Sequence, residues 1–481
     1  MKRIFTLILF VFTALVYPIL AAEPLQNMPR LGSITPQASN KIIASPWGIQ
    51  FAPVQPHVNV VLDRAEWPEL EQRIETLLDK SAALGIKWAR VSFNWVTVVD
   101  ENGEFHWDYP DKILHGLTDC GIIPYVCFHG GHPEFSDRQA PTVSPEAMDA
   151  WLEFVAAMVK RYADRIDYWE LWNEPNYVSF WKPKPDARDY ARLIKETAPL
   201  IRDLDPGCKI LGGSLARVDL DFARLMLAYG AGPHLDAFTV HPYNAEPEGS
   251  WQKISYPVQT PQYYMRSSNS MAELQQMLQA QPQPIPLWQG ECGYPSEAHS
   301  MGWFGLGPWG ERIQAKWVLR RLLIDAIHGL PVSAYFMIVE IQNTSGRVNF
   351  KGLLEHEDLS EKPAYYTLQN LAALVQGQVQ PDSTPVELEI IKHGDFYGVR
   401  ESDLIRHRLK ANIGELLLYW LPWHPQERVQ PGAVKIQTNF KEPVCIDLID
   451  GAVYEMPENQ APLADYPMII AERKAIESML K

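Results

Sequence analysis

The sequence predicts an α/β protein: a (β/α)8 TIM barrel over residues 46–377, followed by a C-terminal β-sandwich domain over residues 378–481. In the first region, eight short runs of β-branched or aromatic residues alternate with helical patterns, and eight such pairs are the number in a TIM barrel. In the second region, short strand patterns follow one another without helices. The alternative, a doubly wound open sheet, usually carries a glycine-rich phosphate loop after its first strand, and this sequence has none there.

The predicted barrel strands are short and rich in Val, Ile, Phe, Tyr and Trp. They are residues 47–51, 87–93, 122–128, 166–172, 209–213, 237–241, 285–289 and 332–337. After each strand, apolar residues recur every three or four positions, as on one face of a helix. These helical segments are residues 66–84, 109–120, 144–163, 186–203, 219–229, 263–279, 311–328 and 363–375. In the first of them Ile74, Leu77 and Leu78 share one face, and Gly85 ends the helix.

The C-terminal region contains short apolar runs separated by Gly, Pro, Asn and Asp, which is typical of a β-sandwich. The predicted strands are residues 386–391, 396–400, 415–421, 433–438, 444–448 and 452–456. Residues 23–45 are rich in proline and polar side chains. We interpret them as a linker or N-terminal extension, or as an edge strand of the C-terminal domain.

Residues 1–22 have the pattern of a secretory signal peptide. Lys2 and Arg3 precede an apolar stretch over residues 4–16, which is shorter than the ~20 residues of a membrane span. Cleavage after Ala22 would export the chain to the periplasm or the extracellular space, with no membrane span left. The alternative is an uncleaved signal anchor, because Leu20 is unfavourable three residues before the cut.

Composition argues against a nucleic-acid partner and against the common cysteine motifs. Lys and Arg number 43 against 58 Asp and Glu, giving a formal net charge of −15, which disfavours nucleic acid. The five cysteines form no Cys-x-x-Cys pair, so neither a zinc ribbon nor a thioredoxin-like motif is indicated. We expect free thiols, although a Cys120–Cys127 bridge stays open.

Reactive residues follow two of the predicted barrel strands. Glu174 comes directly after the fourth strand, and Glu291 comes directly after the seventh. Active sites of TIM barrels lie at the carboxyl ends of the strands, and strands four and seven stand on opposite sides of the ring. The two carboxylates are therefore expected to face each other. Glycoside hydrolysis needs such a pair, one as proton donor and one as nucleophile or base.

The stretch YWELWNEPN at residues 168–176, together with Glu291, resembles the clan A retaining glycoside hydrolases. Over roughly residues 47–377 the sequence is most similar to glycoside hydrolase family 39, including its bacterial members that process exopolysaccharides and xylosides. The resemblance implies that Glu174 is the acid/base and Glu291 the nucleophile. It also implies that Asn173 hydrogen-bonds the sugar 2-hydroxyl, that the substrate is an oligo- or polysaccharide, and that no cofactor is needed.

The same resemblance implies roles for four more residues. Arg90, inside the second strand, would hydrogen-bond the nucleophile, with a purely structural ion pair as the alternative. His241 and Tyr243 would support the nucleophile and the −1 subsite, and His129 would line that subsite. For both histidines the alternative is simple packing in the core. The run from His129 to His132 lacks the spacing of a helical zinc site, so no metal is expected.

Aromatic residues near the barrel mouth suggest walls that stack on sugar rings. Trp181 and Trp303 are the favoured candidates because they lie in long loops rich in Gly and Pro. Many clan members have a Trp at the end of the eighth strand. Here Phe336 stands in that region, so Phe336 or another loop is expected to supply the floor of the −1 subsite.

These observations predict an exported, retaining β-glycoside hydrolase whose two carboxyl groups lie about 5–5.5 Å apart. Two alternatives share the same scaffold. A non-catalytic carbohydrate-binding protein is compatible with the fold. A transglycosidase would use the same residues with a different acceptor.

Overall fold

The computed structural model describes residues 28–54, 67–100, 102–131, 141–243, 247–251, 270–297, 309–343, 346–382 and 384–481. The predicted signal peptide over residues 1–22, together with His132 and Trp303, lies outside the described residues. Within the described part of the chain, no helix has both the length and the hydropathy required to cross a bilayer.

Strands and helices alternate through the first part of the chain, and strands dominate the rest. The strands are β1 (Arg30–Ser33), β2 (Trp47–Gln50), β3 (Trp88–Asn94), β4 (Ile123–His129), β5 (Tyr168–Leu171), β6 (Lys209–Ala216), β7 (Ala237–His241), β8 (Leu287–Cys292), β9 (Ser333–Tyr335), β10 (Ile341–Gln342), β11 (Val348–Asn349), β12 (Gln380–Asp382), β13 (Leu388–Lys392), β14 (Ile405–Ala411), β15 (Gly414–Trp420), β16 (Gly432–Ile436), β17 (Pro443–Asp447), β18 (Ala452–Glu455), β19 (Gln460–Leu463) and β20 (Met468–Glu472). The helices are α1 (Trp67–Leu84), α2 (Asp108–Asp119), α3 (Pro145–Tyr162), α4 (Ala187–Leu204), α5 (Leu220–Ala228), α6 (Ser270–Gln279), α7 (Glu311–Ile327), α8 (Pro363–Leu374) and α9 (Arg473–Ile476).

Strands β2 to β9 form a closed parallel barrel in sequence order, in which β2 pairs with both β3 and β9. The predicted TIM barrel is therefore confirmed. Residues 263–269 of the predicted sixth helix lie outside the described part, and α6 begins at Ser270.

Alternation along the strands separates the two sides of the barrel wall, because successive side chains of a strand point to opposite faces. In β3, Ala89, Val91 and Phe93 join the hydrophobic cluster shared with the helices. Arg90 and Ser92 lie between them in sequence and line the pocket at the barrel mouth. The strand therefore builds the core with one set of residues and the site with the other.

The C-terminal region consists of two antiparallel sheets. One has seven strands in the order β1-β18-β17-β20-β15-β14-β12, and the other has three in the order β13-β16-β19. Within the extension over residues 23–45, β1 pairs with β18 and forms an edge of the larger sheet.

One predicted strand in this region is wrong, and four strands, β12, β14, β19 and β20, were not predicted. Residues 396–400 form turns, and Gly394 and Gly398 adopt positive φ there, which interrupts an extended strand. Strand β14 escaped prediction because most of its residues are polar. Strand β19 is short and contains Pro462, and β20 follows it near the end of the chain.

Helix α7 lies between the barrel and the C-terminal sheets, and all its side chains over residues 313–327 are buried. Two of its charged residues, Lys316 and Arg320, find partners in other elements, while Arg321 pairs with Asp325 within the helix. Lys316 Nζ lies 2.7 Å from Asp465 Oδ1 of the C-terminal domain. Arg320 makes a two-point contact of 2.6 and 2.8 Å with Glu248, in the segment after β7. Trp420 Nε1, from β15, donates to Glu248 Oε1 over 2.8 Å. The helix therefore connects the two domains through the buried polar contacts of Lys316 and Glu248.

All five cysteines of the chain lie among the described residues, and each is a free thiol. They are Cys120, Cys127, Cys208, Cys292 and Cys445.

Candidate active site

Three ionisable side chains converge at the carboxyl ends of the barrel strands. Glu174 follows β5, Glu291 lies near the end of β8, and His241 ends β7. One oxygen of each carboxylate and a ring nitrogen of His241 all lie within 4.8 Å of one another. The structure thus brings together the two glutamates that the sequence placed on opposite sides of the ring.

A strained turn projects Glu174 into the barrel mouth. Trp172 and Glu174 have φ values of 73° and 48°, in the left-handed region that non-glycine residues rarely occupy. Such conformations persist where surrounding contacts enforce them. Here the Glu174 amide donates to the carbonyl of Ser214 over 2.9 Å. The buried indole of Trp172 donates to the carbonyl of Phe180 over 3.0 Å.

Glu291 is held by one hydrogen bond to each carboxylate oxygen. The hydroxyl of Tyr243 donates to Oε1 over 2.6 Å, and Arg90 Nη1 donates to Oε2 over 3.1 Å. Burial, followed by the charge of Glu291, raises the pKa of Tyr243 well above its usual value, so the phenol stays a donor. Both donors hold the Glu291 carboxylate in a fixed orientation.

Arg90 is the centre of a buried polar network. Its Nε lies 2.6 Å from Glu170 Oε2, and its Nη2 donates to Asn173 Oδ1 over 2.9 Å and to Ser214 Oγ over 3.2 Å. Burial alone would lower the pKa of Arg90, but the carboxylates of Glu170 and Glu291 outweigh it and raise that pKa well above the usual value. Arg90 is therefore both a structural ion-pair partner and a direct contact of Glu291.

His241 is fully buried and contacts the other candidate carboxylate. Its Nδ1 lies 3.0 Å from Glu174 Oε1 and 3.9 Å from Glu291 Oε2, and its Nε2 lies 3.3 Å from Ser214 Oγ. A network in which Nδ1–H donates to Glu174 and Nε2 accepts from Ser214 satisfies both ring nitrogens. His241 thus orients Glu174, while Tyr243 orients Glu291.

A pocket of about 160 Å³ opens above these groups. His129 and Asn173 line it, as the resemblance implied, and so does Phe336. Because Asn173 Oδ1 accepts from Arg90, its amide NH2 is the group that a ligand can reach. Among the described residues, the remaining walls come from the first two barrel strands and the residues just after β2, from the loop after β5, and from the segment that forms the β10–β11 hairpin. They are Gln50, Ala52, Ser92, Phe180, Ile341, Asn343, Arg347 and Asn349.

Trp181 does not form a wall of the described pocket. Its ring is only 2% exposed and packs against Trp172 and Tyr190. Its neighbour Phe180 faces the pocket instead. Trp303, the other predicted wall, lies outside the described residues.

The sequence did not single out several functional neighbours. Glu170 is the main buried partner of Arg90, and Thr239 donates to its second oxygen. The position of Glu170, a charged residue in an otherwise apolar strand, is the feature that could have predicted its buried ion pair. No comparable signal marks the residues of the β10–β11 hairpin.

Glu174, His241 and Glu291 have the donor atoms of a metal site. Both oxygens of Glu291, however, already accept hydrogen bonds, and the Arg90 guanidinium lies 3.1 Å from one of them. This positive charge opposes a cation at the same oxygens. The arrangement suits an oriented, charge-compensated carboxylate better than a metal centre.

Comparison with solved structures finds the same fold. A family 39 glycoside hydrolase from Bacteroides cellulosilyticus superposes with a TM-score of 0.64 at 17% identity, covering 89% of this chain and 80% of that one. A monomeric β-xylosidase from Caulobacter crescentus superposes with a TM-score of 0.53 at 14% identity, covering 91% and 97%. At these identities the similarity concerns the fold alone.

Sequence comparison gives shorter matches to curated proteins. The β-xylosidase of Geobacillus stearothermophilus is 26% identical over 166 residues, which cover 28% of this chain and 32% of that protein. β-Glucosidase 40 of Arabidopsis thaliana is 29% identical over 93 residues, covering 19% and 18%. These matches span a third or less of the length of the curated relatives.

The family match is much longer. Residues 60–395 match Glycosyl hydrolases family 39, which is more than half of the chain and includes nearly the whole barrel. The chain belongs to glycosyl hydrolases family 39.

Proposed function

We propose that this protein is a retaining β-glycoside hydrolase, with Glu291 as nucleophile and Glu174 as acid/base. One observation carries the proposal: an oxygen of Glu174 and an oxygen of Glu291 lie within 4.8 Å of each other, at the mouth of the barrel. Carboxyl groups about 5–5.5 Å apart are typical of retaining enzymes, whereas inverting enzymes keep about 6.5–9.5 Å for a water molecule.

In the first step, Glu174 gives its proton to the glycosidic oxygen while Glu291 attacks the anomeric carbon. The bond from that carbon to the leaving oxygen breaks, and a glycosyl ester with Glu291 forms. In the second step, water attacks the same carbon and gives its proton to Glu174. The ester bond breaks, and the sugar leaves with its original configuration.

The surrounding residues prepare both glutamates for these roles. Tyr243 and Arg90 fix the two oxygens of Glu291, so that one of them is directed at the substrate. His241 holds Glu174 once its proton has left. The amide of Asn173 would donate to a sugar hydroxyl, a bond that strengthens in the transition state.

The substrate we propose is a β-linked oligo- or polysaccharide. The named relatives include a β-xylosidase and a β-glucosidase, so β-xylosides and β-glucosides are the first compounds to test.

The decisive experiment is a panel of aryl β-glycosides and soluble polysaccharides, with the anomer of the first product followed by NMR. We expect turnover with initial release of the β-anomer. Both Glu291→Gln and Glu174→Gln should abolish it on unactivated substrates, while Glu297→Gln, a change at an exposed glutamate after β8, should not.

Three results would contradict the proposal. Initial release of the α-anomer would indicate inversion. Binding without turnover would indicate a carbohydrate-binding protein. Transfer to a sugar in preference to water would indicate a transglycosidase.

We also propose that the chain is exported, from the pattern of Lys2, Arg3 and the apolar residues that follow. Residues 1–30 fused to a reporter enzyme that is active only outside the cytoplasm should give activity. N-terminal sequencing of the native product should begin at Glu23. A product that still begins at Met1 and stays with the membrane would indicate a signal anchor.

A further inference from the structure

A buried ion pair stands behind one wall of the pocket. The side chains of Lys362 and Glu340 are 1% and 2% exposed, and Lys362 Nζ lies 2.6 Å from Glu340 Oε1. The described lining of the pocket includes neither residue, but Glu340 directly precedes the β10–β11 hairpin. Four positions of that hairpin line the pocket, namely Ile341, Asn343, Arg347 and Asn349.

The ammonium group of Lys362 reaches both ends of this hairpin. At its start the contact is the ion pair with Glu340, and at its end Nζ lies 3.5 Å from the carbonyl oxygen of Phe350, directly after β11. Nζ also donates to Ser296 Oγ over 2.9 Å, in the loop that follows Glu291 and β8. One buried cation therefore joins the two ends of the hairpin to the loop beyond the proposed nucleophile.

Other donors meet at the same end of the hairpin. The carbonyl oxygen of Phe350 accepts from the Ser296 amide over 3.0 Å and from Gln314 Nε2 of α7 over 3.3 Å. These donors are neutral, whereas Lys362 brings a charge, which makes its hydrogen bonds stronger. We call the group formed by Lys362, Glu340, Ser296 and Phe350 the hairpin clamp.

The hairpin depends on such contacts because its own pairing is short. Strands β10 and β11 have two residues each, and among the described strands they pair only with each other. An isolated two-stranded hairpin is at best marginally stable in water. Contacts at its base therefore determine where it lies relative to the barrel mouth.

We propose that Lys362 is a positioning residue that holds the β10–β11 hairpin in place as a wall of the substrate pocket. This inference rests on the proposed hydrolase function. It adds a residue outside the pocket that controls how tightly the substrate binds. The contacts that orient Glu174 and Glu291 come from other residues, so Lys362 acts on binding and not on the chemical steps.

The test compares Lys362→Met with a matched control, Lys316→Met. The control breaks an equally buried lysine–carboxylate pair, that of Lys316 with Asp465, at the contact with the C-terminal domain. Two quantities are measured: steady-state kinetics on the best substrate of the glycoside panel, and hydrogen exchange of the backbone amides over residues 341–350.

In Lys362→Met, we expect KM to rise about tenfold, the scale of a lost hydrogen bond to a charged group. The value of kcat should change little, because the lost contacts serve the ground state and the transition state alike. The hairpin amides should exchange faster. Lys316→Met should leave KM and the exchange of the hairpin as in the wild type.

A second variant separates positioning from stability. Lys362→Met leaves Glu340 buried without its cation, which destabilises a fold. The double variant Lys362→Met/Glu340→Gln removes the unpaired charge, and its new amide can donate to the neighbouring carboxyl of Glu355. It should regain stability to denaturant while KM stays high, because the contacts to Ser296 and Phe350 are still absent.

Three results would overturn the proposal: a wild-type KM in Lys362→Met, a fall in kcat with KM unchanged, or an equal rise of KM in Lys316→Met. Failure of the unaltered protein to cleave any glycoside would refute the hydrolase function alone. Hydrogen exchange would then decide on the clamp without a substrate, since unchanged exchange over residues 341–350 in Lys362→Met would overturn it.

Discussion

The hydroxyl of Tyr243 lies 2.6 Å from Oε1 of Glu291, and the two residues come from neighbouring strand ends of the barrel, β7 and β8. Burial raises the pKa of this phenol well above its usual value, and the charge of Glu291 adds to that effect. The residue is therefore a fixed donor to the proposed nucleophile.

Removing this donor should slow the reaction with little effect on folding. In Tyr243→Phe, we expect kcat to fall about 10- to 100-fold, the scale of a lost hydrogen bond to a charged group. The measurement is steady-state kinetics on the best aryl glycoside. Tyr109→Phe, a buried tyrosine on α2, is the matched control and should leave kcat unchanged. Wild-type kcat in Tyr243→Phe would show that Arg90 alone orients Glu291.

Replacing Arg90 should destabilise the protein as well as inactivate it. In Arg90→Met, the fully buried Glu170 loses its ion-pair partner, and the free energy of unfolding should fall by about 3–5 kcal/mol. Denaturant unfolding measures this change. The double variant Arg90→Met/Glu170→Gln should recover much of the stability, because no buried charge is left unpaired, but none of the activity. Recovery of activity would exclude a direct role of Arg90 at Glu291.

The partly buried His328 should contribute to acid unfolding. Burial, followed by the positive charges of His407 and Arg321, lowers its pKa from 6.5 to about 3. Between these two pKa values, the histidine is protonated in the unfolded chain but neutral in the folded protein. Stability therefore falls as the pH drops below 6.5. His328→Phe keeps a ring against Trp251 and should lose less stability between pH 6.5 and 4. The exposed control His393→Phe should show the pH dependence of stability of the wild type. The same pH dependence in His328→Phe would contradict this expectation.

Lys351 should make the stability of the protein depend on pH in the alkaline range. Burial lowers its pKa from 10.5 to about 8, although the charges of Glu291 and Cys292 act in the other direction. Between pH 8 and 10.5 the unfolded chain holds the proton more tightly, so this residue makes stability rise with pH. In Lys351→Met that rise should disappear, and the variant should be more stable than the wild type at pH 7. Chemical denaturation at pH 7 and pH 10 gives both values, and a less stable variant at pH 7 would contradict the expectation.

The barrel was predictable because its evidence is local. Each strand is a compact apolar run, each helix has a regular apolar face, and the count of eight is complete. The two glutamates were predictable for the same reason, since Glu174 and Glu291 stand next to recognisable strand ends. Strand β14 gave no such signal, because polar residues fill most of its positions and only Ile405 and Leu409 are buried.

The rest of the site depends on contacts that no local pattern records. Glu170 and Arg90 are 80 residues apart in sequence and meet only when the barrel closes. Trp181 and Phe180 are neighbours in one turn, and only the fold determines which ring is buried and which faces the pocket. The hairpin formed by β10 and β11 lines the pocket because the fold turns it towards the barrel mouth, and no pattern in the local sequence indicates that orientation.

The buried charges of helix α7 have a consequence for recombination between relatives. Lys316 pairs with Asp465 of the C-terminal domain, whereas Arg320 pairs with Glu248 inside the barrel part of the chain and Trp420 of the C-terminal sheets adds a hydrogen bond to that carboxylate, so the charge of Lys316 is neutralised only when both domains are present. A chimaera with the barrel of this chain and the C-terminal sheets of another would leave Lys316 buried without its partner. Crossover points that keep α7 together with its C-terminal contacts are the ones that should yield folded hybrids.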